Sequence, residues 1–268
     1  MSTQSADSLA TLERPSTLLA ELPDLSSLSP TQRTKMLLKV RWEMASRDPY
    51  IFGKHFAFTL DQHGIQKVIK PFPADRPHLR WMFAVWHAIY KRELMLKCPK
   101  TGAMIECTGL VGDKCRQIMA TWFGCVVSVW DVLFHPGRLV FLQSKREAEA
   151  LGNESVGDGL LGRCKFIIRH IPGLEITMPQ LKLNRAFTTE KIELPFNNSM
   201  LWGVPEGGDI IRSHTLSGLF SDECGFQPEF GNAYAAAMPG LRGTGTWLYA
   251  ISTANPGPFR KLCDDMLN

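Results

Sequence analysis

No run of the 268 residues stays apolar over the roughly 18 positions that a membrane-spanning helix takes. The first residues also lack the basic stretch and hydrophobic block of a secretory signal. A soluble protein that remains in the compartment where it was made is therefore expected. The seven cysteines, at 98, 107, 115, 125, 164, 224 and 263, are odd in number and include no C-x-x-C pair or His-rich ligand spacing. They read as reduced thiols rather than a zinc site or a disulfide framework. Charge is sparse, at 21% of residues beside 44% hydrophobic, so the chain can bury one sizeable core without staples. A net charge of +4 permits a polyanionic partner without demanding one.

What is present centres on residues 109–122, G-L-V-G-D-K-C-R-Q-I-M-A-T-W. A short apolar piece, a compact turn carrying Lys114 and Arg116, then Thr121 and an apolar run to Trp130 suggest strand, phosphate loop and buried helix. The first amides of a helix are unpaired and point out of its end, where the helix dipole also favours an anion. A lysine adds charge, and a hydroxyl at the helix start can hold magnesium. Against the pattern G-x-x-x-x-G-K-[ST], Thr121 stands in the metal-binding place. Ala120 replaces the lysine, Met119 replaces the second glycine, and the positive charge has moved forward to Lys114. Taken alone, the octet fits a basic turn before a core helix equally well.

Upstream, residues 1–28 mix Ser, Thr, Leu and Pro without periodicity and read as a flexible tail. Ser29-Pro30 marks a helix start, and Met36, Leu37, Val40 and Met44 give the helix over 31–47 an apolar stripe. Residues 48–77 read as irregular, with aromatic side chains for the core and with Gln62 or Phe72 placed to frame an adenine. A helix is expected over 78–91, with His87 as a core histidine, followed by a hairpin over 93–108 turning at 99–102. Past the loop helix, 138–142 is a strand whose carboxyl end carries Gln143-Ser144-Lys145-Arg146. Strand, helix and strand after a phosphate loop imply a right-handed crossover and a parallel sheet, with ligands at the carboxyl edge. A helix from 146, a further apolar segment over 157–169 and a small β-rich extension over 172–196 follow. Residues 202–212 read as a glycine-rich loop leading to Arg212.

A second buried strand, L-S-G-L-F, ends in Ser221-Asp222-Glu223. An apolar strand closing on adjacent carboxylates is the second half of an ATPase site. The aspartate orders a magnesium shell and the glutamate polarises water for in-line attack on a γ-phosphate. A third strand, W-L-Y-A-I, is capped by Ser252-Thr253-Ala254-Asn255, small polar groups suited to sensing that phosphate.

The set K-C-R-Q-I-M-A-T-W, V-F-L-Q-S-K-R-E-A, I-R-S-H-T-L-S-G-L-F-S-D-E-C and I-S-T-A-N resembles the ATPase motifs of the large terminase subunit of tailed bacteriophages, over residues 48–260. In that family the loop lysine is often displaced to the front, as Lys114 is here. The resemblance implies an α/β fold of the P-loop NTPase (RecA/ASCE-like) kind, a mostly parallel sheet flanked by helices with a small lid or β extension. It implies a tail over 1–30 and an ATPase domain over 31–268, with the nuclease domain of complete large terminases absent.

Carried over residue by residue, it implies that Lys114, Cys115, Arg116, Gln117, Ile118, Met119, Ala120 and Thr121 bind ATP in the Walker A place. Thr121 and Asp222 hold Mg2+, Glu223 of the Walker B place is the catalytic carboxylate, and Ser252, Thr253 and Asn255 form the coupling motif. Arg212 and Arg116 are rival arginine fingers. The implied function is a packaging motor that drives double-stranded DNA into a procapsid in the host cytoplasm. Its implied partners are the portal protein and the small terminase subunit, and it forms a homo-oligomeric ring when packaging while being monomeric in isolation. Lys182, Arg185 and Lys191 are candidates for contacting DNA. A helicase-like translocase and a non-hydrolysing nucleotide-binding assembly module are the alternatives.

Overall fold

The computed structural model describes residues 28–61, 68–98, 101–115 and 118–267. Most of the expected tail, Gln62, Arg116 and Gln117 lie outside the described residues.

Helix α1, Pro30–Arg47, starts where expected: Ser29 accepts from the Gln32 amide and Gln32 returns the bond, closing a capping box. The segment expected to be irregular contains order of its own. Asp48 accepts from the Tyr50 amide at 2.8 Å to cap helix α2, Pro49–His55. Strands β1, Phe58–Asp61, and β2, Val68–Pro71, pair antiparallel, with Phe58 opposite Pro71. Helix α3, Pro77–Tyr90, buries Leu79, Met82, Phe83, Trp86 and Ile89. Phe72, offered as an adenine neighbour, is instead in the core, edge-on to Phe83. Strands β3, Met95–Lys97, and β4, Met104–Glu106, form the expected hairpin.

The core of the fold is a six-stranded sheet of β5, Gly109–Asp113; β6, Leu139–Gln143; β7, Lys191–Leu194; β8, Ser199–Val204; β9, Gly218–Asp222; and β10, Trp247–Ser252. Their order across the sheet is β5-β10-β9-β6-β8-β7. All neighbours are parallel except β7, which runs antiparallel to β8. This is an α/β fold with a mostly parallel sheet and helices on its faces, as the RecA/ASCE-like reading expects. The strand ending at Ser252 lies between the strand ending at Asp113 and the strand ending at Asp222, so three chemically distinct strand ends share one edge.

Helix α4, Ala120–Phe134, is buried almost all round, which is why its sequence shows no polar stripe. Gly124 is required there: a Cβ would come within 2.4 Å of the Phe220 ring. Helix α5, Glu147–Leu151, and helix α6, Leu160–Arg169, follow β6. On the other sheet face, Phe141, Leu219 and Leu248 meet Phe230 and Ala233 of helix α10, Phe230–Ala237. At the opposite edge of the sheet, the fully buried Asp131 accepts from Arg138 at 2.9 Å, Tyr90 at 3.0 Å and Trp247 at 2.8 Å. That network satisfies a buried charge, as burial requires.

Two expectations are corrected. In the supposed β-rich extension over 172–196, only β7 is a strand. The Leu181 and Leu183 alternation is not a strand: Leu181 lies between two short turns of helix, α7 over Leu174–Thr177 and α8 over Leu183–Ala186, and Leu183 opens the second. The supposed glycine-rich loop at Trp202-Gly203 is β8. Gly203 is there because helix α5 crosses it closely, leaving 2.8 Å between a Cβ and Leu151. Helix α9, Asp209–Arg212, follows, and helix α11, Pro258–Leu267, ends the described chain.

Candidate active site

Four segments meet at the carboxyl edge of the sheet. The loop after β5 is anchored by the Lys114 amide, which donates to the Ser252 carbonyl at 2.7 Å. His78 Nε2 lies 3.1 Å from the Ile118 carbonyl at the far side of the loop. Met119, in the place of the missing glycine, has φ 64 and ψ 15. This is the left-handed conformation that glycine adopts freely and that strains a side-chain-bearing residue. The loop thus keeps a glycine-like backbone without the glycine, and α4 begins on the next residue.

Lys114 bridges the site. Its Nζ donates to Asp222 Oδ1 at 2.5 Å and to Thr121 Oγ1 at 3.0 Å, and it lies 3.4 Å from Glu223 Oε1. Thr121 Oγ1 in turn donates to Asp222 Oδ2 at 2.8 Å. Residues 108 apart in sequence therefore share one cluster, with the Lys114 and Asp222 side chains only 10% and 9% exposed. Glu223 takes the left-handed conformation, φ 55, and its amide donates to Asp222 Oδ1 at 2.9 Å. The strained turn aims its carboxylate into the cleft rather than along the strand.

The S-T-A-N segment surrounds that glutamate. Thr253 Oγ1 donates to Glu223 Oε2 at 3.3 Å, and Asn255 Nδ2 donates to the Gly225 carbonyl at 2.5 Å. Ser252 is fully buried and donates to the Thr253 carbonyl at 2.8 Å. A Cβ on Gly225 would come within 2.8 Å of the Ser252 hydroxyl, so this turn seats directly on the S-T-A-N segment. Thr253 thus touches the carboxylate, whereas Ser252 and Asn255 brace the backbone beside it.

These groups border an open cleft of about 950 Å³ whose lining includes Cys115, Ile118, Met119, Ala120, Thr121 and Thr253. Among the described residues, five basic ones, Lys70, Arg76, Lys114, Lys145 and Arg163, also line it, against the single acid Glu223. Such a field concentrates a polyanion. An oxygen-ligated divalent cation fits the junction of Thr121 Oγ1 and Asp222 Oδ2, because magnesium binds through one or two carboxylates and substrate phosphates while keeping several waters. Among the described residues no group of three or more His, Cys, Asp or Glu could hold a metal unaided.

Arg212 stands apart. It ends α9, is exposed and pairs with Asp209 at 2.8 Å. It shares a small pocket with Leu216, two residues before β9, whereas Asp222 is at that strand's far end. Gln143, at the carboxyl end of β6, also stays out of the cleft: it is fully buried and donates to the Pro205 and Gly207 carbonyls. All seven cysteines are free, and burial pushes the Cys224 thiol beside the acidic pair well above its ordinary range, so it is no nucleophile. Of the other cleft residues, Lys145, within V-F-L-Q-S-K-R-E-A, had a signal in its place at a strand end. Arg163 had none, because only the packing of α6 on α4 brings it to the site.

The chain is similar to the ATPase domains of phage large terminases. With the large terminase ATPase domain of Thermus phage P74-26 it shares 20% identity at a TM-score of 0.42, over 57% of this chain and 63% of that one. With the large terminase of a second, thermophilic bacteriophage, in a complex with ADP, it shares 12% identity at a TM-score of 0.35, over 54% of this chain and 33% of that one. The match therefore spans less than two thirds of the first and a third of the second. No protein-family model and no curated protein matches the chain.

Proposed function

We propose that this chain hydrolyses ATP as the motor domain of a viral large terminase, moving double-stranded DNA into a procapsid. The observation that carries the reading is the convergence of Lys114, Thr121, Asp222, Glu223 and Thr253 at one cleft end, from three separate strand ends.

Each residue has work suited to its place. Lys114 and the first amides of α4 neutralise and orient the phosphates. Thr121 and Asp222 would hold Mg2+, which supplies charge neutralisation across the phosphates when bound. Glu223 accepts a hydrogen bond from the attacking water and aligns it, and Thr253, already bonded to Glu223, registers whether the terminal phosphate is present. Loss of the phosphate then shifts Thr253 and, through Asn255 and Gly225, the turn behind Glu223. Arg212 faces away from this cleft and suits a neighbouring copy in a ring, where it stabilises charge on the transferring phosphoryl group. DNA is held through its phosphates, with Lys182, Arg185 and Lys191 as contacts. Packaging also implies the portal protein, the small terminase subunit and the host cytoplasm as setting.

The experiment is steady-state ATP turnover with and without double-stranded DNA. Turnover should be stimulated by DNA of any sequence, less so as salt rises. Arg212→Ala should spare nucleotide binding and cut turnover by about 10³-fold or more, with wild-type specific activity rising with protein concentration. Concentration-independent activity together with an inert Arg212→Ala would remove the neighbour-supplied arginine, and no ATP turnover under any condition would remove the motor.

A further inference from the structure

Two chemically different groups of residues line the cleft. Lys145, Glu223, Phe226 and Thr253 line it from beyond the ends of β6, β9 and β10; Thr59, Leu60, Trp122 and Arg163 line it where β1 and α6 meet the start of α4. Lys114, Cys115, Ile118, Met119, Ala120 and Thr121 line it as well. With a terminal phosphate beside Lys114 and Glu223, the rest of a nucleotide extends toward Arg163.

Arg163 differs from the cations at the phosphate end. Lys114 is engaged by Asp222 at 2.5 Å, and Lys145 lies 3.7 Å from Glu149. The Arg163 guanidinium instead rests over the Trp122 indole, 5.5 Å from its centre, and its buried Nε has no hydrogen-bond partner among the described residues. A buried donor without an acceptor is costly, and a guanidinium is planar, with two faces able to stack. One face is on Trp122, and the residue lines the cleft.

Resting on the nucleotide reading above, we propose that Arg163 is the nucleoside clamp of this cleft, a guanidinium backed by Trp122 that stacks on the purine base. It sets affinity for the nucleoside half of the ligand and is indifferent to the γ-phosphate. Arginine stacked on a base in a desolvated site contributes strongly to binding, and removing it should weaken binding about tenfold.

The test is calorimetric binding of ATP, ADP and inorganic tripolyphosphate, each with Mg2+, to the wild type, Arg163→Gln and Arg163→Lys. Thermal melts verify that each variant is folded, and the lysine variant, which keeps the long stem and the charge, serves if glutamine does not fold. Expected are equal losses of about tenfold for ATP and ADP, unchanged tripolyphosphate affinity, and no rescue by lysine, which has charge but no plane. Three results overturn the clamp: unchanged ATP affinity, an equal loss for tripolyphosphate, or full rescue by lysine. A wild-type chain that binds none of the three ligands removes the nucleotide reading itself and the clamp with it. That outcome is distinct from a wild type that binds ATP with an inert Arg163.

Discussion

Removing the amine at the centre of the site should be felt in stability before any nucleotide is added. In Lys114→Ala, Asp222 keeps the Thr121 hydroxyl and the Glu223 amide but loses its cation, and Glu223 loses the charge 3.4 Å away. Stripping one partner from a buried ion pair costs about 3–5 kcal/mol, and the two surviving donors place this case near the lower end, at about 3 kcal/mol. Asp222→Ala leaves Lys114 the Glu223 carboxylate and costs less, about 2 kcal/mol. Because each single change strands what the other would remove, the double variant should lose about 3 kcal/mol rather than the sum, a coupling of about 2 kcal/mol. Urea unfolding of the four proteins at fixed ionic strength without nucleotide gives the cycle. Lys114→Ala should also lose ATP binding. Additive losses would show that lysine and aspartate do not meet in solution, and intact ATP binding in Lys114→Ala would show that the phosphate loop is assigned wrongly.

Gly124→Ala drives a methyl to 2.4 Å from the Phe220 ring, which is itself stacked on the buried Tyr249. It should cost about 2 kcal/mol and lower the melting temperature by roughly 6 °C, whereas an unshifted melt would show that the strand and the loop helix are not in contact there. Burial lowers the His87 pKa to about 3, with Lys91 and His135 adding repulsion. The unfolded chain, with a pKa near 6.5, takes up this proton first. Stability is therefore complete above about pH 6.5 and falls as pH drops toward 3. Between pH 7 and 5 the loss should be about 2 kcal/mol. His87→Gln should flatten that part of the profile; a wild type equally stable at both pH values would show that His87 is open to water.

Much of the site was legible because its chemistry sits at strand ends, and strand ends are marked in sequence by where an apolar run stops. Asp222-Glu223 and Ser252-Thr253 are such stops, and parallel neighbours put them on one edge. Ser29-Pro30 announced its helix through capping chemistry alone. Met119 could not be read this way, since whether a side-chain-bearing residue takes the left-handed turn depends on its surroundings rather than its type. Strand β8 was hidden because Gly203 resembles loop glycine until helix α5 is seen lying across it. The Leu181 and Leu183 spacing mimicked a strand because Leu181 is buried just ahead of α8 and Leu183 half-buried within it, a turn too short to show a 3.6-residue period. Arg163 had no local signal, since its role exists only through its packing on Trp122.

Single-turnover hydrolysis of ATP with Mg2+, comparing the wild type with Glu223→Ala, bears most directly on the central claim that the glutamate after β9 drives attack on a triphosphate held by Lys114. Wild-type cleavage should exceed that of Glu223→Ala by at least 10²-fold, with ATP affinity preserved in the variant. Equal, near-background rates in the two proteins would contradict it.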